Sequence, residues 1–230
     1  MSEMRRPVGD AVEGGPADPP VRDTIHGRFV RLEPLDPSVH AVGLFERSHA
    51  DAEDDSIWTY MSYGPFDGLD EMREWLTANA VSSDPLFFTV VATGSGDAVG
   101  VVSLMNVDTA MRRLELGHIW YVRSAQRGLA NTEAVYLLLC RVFDSWGYRR
   151  AEWKCDALNA RSRAAAERLG FTFEGVFRSH MIVKGRNRDT AWYSMLAEEW
   201  PARRAAMDRW LDSKPASVSL RDLIAEADGR

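Results

Sequence analysis

The residues whose types and spacing bear on chemistry lie between positions 121 and 175. An apolar strand runs into Gln126-Arg127-Gly128-Leu129-Ala130-Asn131-Thr132, and the chain then takes on helical spacing. A strand that ends in a short loop and opens directly into a helix leaves backbone N–H groups at the helix's positive end, which suits a pyrophosphate. Arg127 would add a charge-assisted contact to the same group. The string reads equally well as an ordinary strand-to-helix turn, because a single Gly also serves a tight connection. Further on, Asn159 has the right type for an N-cap, Ser162 lies three residues later and Gly170 follows Leu169 as a stop signal. Residues 160–169 are therefore predicted to form a short helix.

Other chemistries are disfavoured. Cys140 falls in a helical pattern and Cys155 in a strand pattern, and neither has a second Cys or a His at ligand spacing. No metal site and no disulfide framework is expected. The net charge of −6 argues against nucleic acid as a partner, since phosphate neutralisation needs a basic surface. Basic clusters exist locally, at Lys184, Arg186 and Arg188 and at Arg203 and Arg204. With 230 residues, 45% of them hydrophobic and 27% charged, the chain can bury a full core and reads as one domain with extra pieces. It shows no apolar run of about 18 residues and no secretory signal pattern, so no membrane partner is expected and the cytoplasm is the expected location.

The elements that must position these residues follow from periodicity. Residues 1–22 carry four prolines, three glycines and few large apolar side chains, and are predicted to be a mobile tail. An alternating first strand begins near Arg28-Phe29-Val30-Arg31-Leu32. From Val39 to Val81 an acidic and aromatic stretch reads as two or more helices. Leu86–Thr93, Ala98–Asn106 and Arg113–Val122 form an antiparallel meander, with Gly94-Ser95-Gly96-Asp97 as one hairpin connection. The helix after the loop buries Ala134, Leu137, Leu138, Arg141, Val142 and Trp146 and stops at Gly147. Arg150–Ala157 is a strand. Phe171–Val183 and Thr190–Ala197 pair across a polar loop, Lys184 to Asp189. A helix from about Glu198 to Leu211 closes the domain, taken as 23–212, and 213–230 is read as a polar tail.

In this order several strings resemble the Gcn5-related N-acetyltransferase (GNAT) superfamily, in its branch that includes acetyltransferases of ribosomal protein N-termini. They are Glu115-Leu116-Gly117, Gln126 through Ala134, Asp156-Ala157-Leu158-Asn159-Ala160-Arg161-Ser162, Arg168-Leu169-Gly170-Phe171, Glu174-Gly175-Val176-Phe177-Arg178, and Lys184-Gly185-Arg186 through Asp189-Thr190. The resemblance spans about residues 26–200. It implies an α+β fold: a single domain whose central mixed, mostly antiparallel twisted sheet of about seven strands has helices on both faces. The chain departs from the family's phosphate loop, of the form Gln/Arg-x-x-Gly-x-Gly/Ala. Leu129 stands where the family has Gly, Asn131 where it has Gly or Ala, and Gly128 comes one residue early. A Leu there must avoid positive φ, so the loop must differ in shape or bind less tightly.

The resemblance further implies transfer of an acetyl group from acetyl-CoA to a primary amine, by direct attack in a ternary complex and without a metal. On this reading Tyr121, Val122, Gln126, Arg127, Gly128, Leu129, Ala130, Asn131, Thr132, Asn159 and Ser162 bind the cofactor. Glu115 is the base, Ser162 meets the thiolate or a bridging water, and Tyr193 is a candidate acid for the thiolate. His118 titrates in a useful range, yet strand alternation puts it on the face opposite Glu115. Asp51, Glu53, Asp54 and Asp55, with Trp58, Tyr60 and Tyr63, suit a cationic small amine or a peptide N-terminus, and read as well as a solvated acidic helix with a few core aromatics. Eight tryptophans point to a homodimer or to a well-filled core. A catalytically inactive acyl-CoA sensor or an assembly module is the alternative function.

Overall fold

Two runs, Leu86–Ala92 (β3) and Ala98–Asp108 (β4), are apolar on both faces over most of their length and so require cover on both sides. In the computed structural model, which describes residues 6–213, 218–227 and 229, they lie at the centre of an eight-stranded sheet. The other strands are Ile25–His26 (β1), Val30–Pro34 (β2), Arg113–Tyr121 (β5), Arg150–Asp156 (β6), Thr172–Val183 (β7) and Arg186–Leu196 (β8). The order is β1-β2-β3-β4-β5-β6-β8-β7. Every neighbouring pair is antiparallel except β5 and β6. That parallel pair needs a crossover, which the helix Leu129–Leu139 (α3) provides.

Helices Pro37–Ser48 (α1) and Leu69–Ala80 (α2) pack on β4 and β3 on one side. On the other side α3 packs against Trp200–Asp212 (α5), and Ala160–Arg168 (α4) against Leu220–Ala227 (α6). The fold is thus the expected α+β sheet with helices on both faces. It has eight strands rather than seven, because β1 is two residues long and too short to show alternation.

The turn between β1 and β2 is held by one side chain. The buried carboxylate of Glu133, on α3, accepts the backbone N–H groups of Arg28, Phe29 and Val30 at 2.9, 2.6 and 2.7 Å. Gly27 is required there: a Cβ would lie 2.8 Å from the Glu133 Oε2.

Three expectations are corrected. The final hairpin turns over Lys184-Gly185 alone, with φ of 49° and 72° as a type I′ turn requires, and residues 186–189 belong to β8. Polar residues on an exposed strand leave no apolar alternation to read. The N-terminal segment is tied down from about Glu13 onwards. Ala17 is buried and donates to the Thr109 carbonyl at 2.9 Å, Asp18 donates to that of Trp146 at 2.9 Å, and Arg22 donates to the carbonyls of Ala80 and Ser82. Backbone partners of this kind leave no mark in composition. In the expected C-terminal tail, α6 buries Leu220, Leu223 and Ile224. Residues 1–5, 214–217, 228 and 230 of the two tails lie outside the described residues. No helix among the described residues is long and apolar enough to cross a membrane.

Glu133→Ala would leave three N–H groups without their carboxylate. A loss of about 3 kcal/mol is expected, read as a lower urea midpoint with an unchanged m-value.

Candidate active site

The sheet opens in its middle. β5 and β6 pair from Arg113↔Arg150 only as far as Leu116↔Trp153, although β5 runs on to Tyr121 and β6 to Asp156. β5 stays paired with β4 on its other edge up to Gly100↔Tyr121. From Gly117 onward the inner edge of β5 therefore has no strand beside it, and backbone groups in a cleft of this kind need partners.

The start of α3 lies at the open end. Val122 donates to the Val99 carbonyl at 2.9 Å, one helical turn covers Arg123–Ala125, and the Gln126 side chain braces the strand end by donating to the Tyr121 carbonyl at 2.9 Å. Arg127 takes the left-handed conformation, with φ of 58°, while Gly128 is the extended N-cap residue. Leu129 is already helical, so the family departure at this position brings no strain: the positive φ has moved to Arg127. No side chain caps α3, which leaves the first-turn N–H groups of Leu129, Ala130 and Asn131 unbonded. The amide of Asn131 also has a buried Oδ1 without a partner. Arg168, on α4, donates to the Thr132 hydroxyl at 2.9 Å. Burial lowers the Arg168 pKa, and no described carboxylate pairs with its charge. A half-buried guanidinium beside an uncapped helix start is suited to phosphate. Arg168 lies within the Arg168-Leu169-Gly170-Phe171 string, where its charge was the signal that went unread.

Glu115 faces the side covered by α1 and α2. It is 2% exposed, 2.9 Å from the Lys154 ammonium, and accepts from the Asn106 amide at 2.8 Å. Burial raises its pKa, and Lys154 and Asn106 work against that rise. Neither partner stood out in the sequence, because Lys154 sits on a strand and Asn106 reaches Glu115 only from a bulge at φ of 51°.

His118 corrects the expectation from alternation. β5 carries one extra residue against β4 between Ser103↔Gly117 and Val101↔Trp120, and His118 absorbs it at φ of 52°. The bulge turns His118 to the Glu115 side, with its ring 4.9 Å from Phe87 and 5.7 Å from Tyr63. Burial, and secondarily the Lys154 charge, lower its pKa to about 4.

Ser162 and Tyr193 belong to the opposite face. The Ser162 hydroxyl accepts from the Trp153 indole at 3.1 Å, and its N–H donates to the Asn159 side chain at 3.0 Å, the predicted N-cap. Tyr193 is wholly buried, and its hydroxyl accepts from Arg163 at 3.1 Å. The cleft separates Glu115 from these two side chains, which lie on the other side of the sheet.

The segment between α1 and α2 forms the roof. Trp58, Tyr63, Phe66 and Trp75 stack there, with Trp58 4.9 Å from Trp120 and Tyr63 4.1 Å from Trp75. Tyr60 donates to the Leu158 carbonyl at 3.2 Å, and Lys184, at the hairpin tip, donates to the carbonyls of Trp58 and Gly64. The acidic residues fit the reading as a solvated acidic helix with core aromatics: Asp51, Glu53 and Asp55 are exposed and Trp58 is buried. Asp51 pairs with Arg123 at 3.0 Å, Glu53 also binds Arg123, and buried Asp54 accepts the Ala50 N–H at 2.8 Å. Among the described residues no three His, Cys, Asp or Glu side chains are grouped to hold a metal ion.

Residues 30–172 match the family model of the acetyltransferase (GNAT) domain. A GCN5-related N-acetyltransferase from Brucella melitensis, solved as a crystal structure, is 41% identical, with 92% of this chain and 98% of that one covered and a TM-score of 0.88. YdaF of Bacillus subtilis (strain 168), which carries the provisional name of a ribosomal N-acetyltransferase, is 28% identical over 59% of this chain and 69% of its own length. At the level of fold alone, the chain is similar to the microcin C7 self-immunity acetyltransferase MccE, crystallised with acetyl-CoA and AMP. That likeness has a TM-score of 0.66 and 22% identity, and covers 74% of this chain and 93% of that one.

The geometry around α3 yields a test by calorimetry with adenosine diphosphate as the pyrophosphate probe. Arg168→Met is expected to weaken its binding about tenfold, the loss of one charge-assisted contact.

Proposed function

We propose that this chain, which belongs to the GNAT acetyltransferase family, uses the cleft between β5 and β6 to transfer an acetyl group from acetyl-CoA to a primary amine. The observation that carries the reading is the parting of the two strands beside the uncapped start of α3. Unbonded N–H groups at Leu129–Asn131, together with Arg127 and Arg168, fit the pyrophosphate, and the free edge of β5 fits the amide-bearing arm. MccE, crystallised with acetyl-CoA, supports the same choice of donor. Acetyl-CoA supplies an acyl thioester, so forming the C–N bond expels a thiolate. Tyr121 and Val122 end the strand at the depth of the reacting carbonyl, and Asn159 orients the arm from the α4 side.

Glu115 takes the proton of the incoming ammonium, directly or through a water, because only the neutral amine attacks. Its burial makes it a stronger base than an exposed carboxylate, while Lys154 and Asn106 fix its position. Ser162 provides the hydrogen bond to the departing sulfur. Tyr193, earlier a candidate for that task, supports α4 through Arg163 instead. A cytoplasmic location suits an enzyme that draws on acetyl-CoA. Six of the eight tryptophans, Trp58, Trp120, Trp146, Trp153, Trp200 and Trp210, are buried within the chain. A homodimer therefore rests on the exposed edge strand β7 and is tested by gel filtration. The second reading, an acyl-CoA sensor without turnover, is favoured by the engagement of the Glu115 Oε2 with both Lys154 and Asn106.

The transferase reading is tested by thiol release from acetyl-CoA with a panel of amines; binding of acetyl-CoA with no acceptor used would select the sensor. The acid limb of kcat should track Glu115, since protonating the base stops the reaction. Glu115→Gln is expected to abolish that limb and lower kcat by about 100-fold or more. Lys154→Met removes the charge that opposes the upward shift, so the limb should move to higher pH. Ser162→Ala should lower kcat with acetyl-CoA affinity retained; a profile unmoved by both Glu115→Gln and Lys154→Met would remove Glu115 as base.

A further inference from the structure

The β7–β8 hairpin carries charge that neither the cofactor site nor the fold uses. From Val176 to Thr190, Arg178, Lys184, Arg186 and Arg188 stand with Asp189 as the lone acidic residue, in a chain of net charge −6. Asp189 is engaged: its Oδ1 accepts from the Ser179 N–H at 2.7 Å and from the Asn187 amide at 3.0 Å. Lys184 is engaged with two carbonyls of the roof. Arg178, Arg186 and Arg188 make no hydrogen bond or ion pair with a described residue, and the Nε of Arg188 is buried without a partner. Arg178 has only the longer-range pull of Asp189.

Of these residues Arg178 and Asp189 line an open groove of about 890 Å³, together with Phe177, Ser179, His180 and Asn187. A relay of side-chain contacts joins the groove's wall to the proposed base. Phe177 and His180 lie 5.3 and 6.0 Å from the Trp192 ring, whose indole N–H is buried without a partner. The Lys154 ammonium sits 5.4 Å from that ring and 2.9 Å from Glu115. Away from the hairpin, Asp51 and Glu53 both pair with Arg123.

We propose that this groove holds the body of the acceptor, and that the acceptor is an anionic amine: a primary amine with a carboxylate or phosphate a few bonds away. The inference rests on the acetyltransferase reading. A carboxylate or phosphate meets the unpaired guanidinium of Arg178 in the groove, with Arg186 and Arg188 on the same hairpin, and a guanidinium binds such a group with charge-assisted and bidentate contacts. Cationic surroundings also disfavour an ammonium and so raise the share of neutral, attacking amine. Phe177, 55% exposed, gives the acceptor's carbon skeleton an apolar surface to lie on.

The test compares matched acceptors with the full-length protein: 2-aminoethyl phosphate against ethanolamine, β-alanine against β-alaninamide, and the peptide amide Ser-Asp-Asp against Ser-Asn-Asn and Ser-Lys-Lys. In at least one set the anionic member should exceed its neutral partner tenfold or more in kcat/KM, and which set does so identifies the source of the charge. Added salt should shrink the advantage. Arg178→Ala combined with Arg188→Gln should bring the ratio towards one with acetyl-CoA affinity unchanged. Equal or better use of the neutral or cationic members, or a ratio that survives the double substitution, would overturn the proposal. If acetyl-CoA binds and no acceptor turns over, the transferase reading fails, and calorimetry of the same pairs on the CoA-loaded protein decides the groove. Selective binding of the anionic members, lost in the double variant, upholds it; no selectivity refutes it.

Discussion

The candidate site depends on two parallel strands that stop pairing partway along. Breaking a sheet in its interior exposes backbone groups that would otherwise bond to each other, so the opening has to be held by packing on both sides. On one side the bulge at His118 and the aromatic stack around Trp58, Tyr63 and Trp120 fill the space beside β5. On the other, α4 is fastened to β6 through Trp153 and Ser162. The Tyr60 hydroxyl reaches the Leu158 carbonyl just past the end of β6, so roof and floor meet at the mouth.

Charge is arranged around this opening by pairing rather than by composition. The buried Glu115–Lys154 pair costs desolvation, which the Asn106 amide offsets only in part, and its return is a carboxylate in a fixed position. Arg123 pairs with both Asp51 and Glu53 and ties the roof to the segment that leads into α3. Arg168 and the hairpin arginines, in contrast, keep their charge unpaired. Cations left without carboxylates suit ligands that bring the negative charge themselves.

The terminal segments support the same frame. The Glu13 carbonyl accepts from the Arg112 side chain, and from Ala17 to Arg22 the chain donates to backbone carbonyls beyond β4, at and past the end of α2 and near the end of the crossover. Helix α6 covers α4 and α5 with Leu220, Leu223 and Ile224. Helix α4 carries Asn159's cap, Ser162 and Arg168, so α6 steadies one wall of the site.

By itself the sequence determined the order of elements, the loop that opens α3, the Asn159 cap and the family. These are local signals: alternation along β3 to β5, a Gly between strand and helix, a cap residue three positions before the N–H that it accepts. Its errors arose where one residue breaks a period or where a partner is distant in the chain. The inserted residue at His118 reversed the side on which that ring lies, and no alternation rule can see a bulge. The acidic run from Asp51 to Asp55 looked like an amine pocket because its partner, Arg123, is some seventy positions away. Tertiary structure alone decided the Lys154–Asn106 clamp on Glu115, the place of Arg168 beside α3 and the burial of Tyr193. Each of these is a contact between elements, and its energy depends on distances that only the packed sheet and helices set.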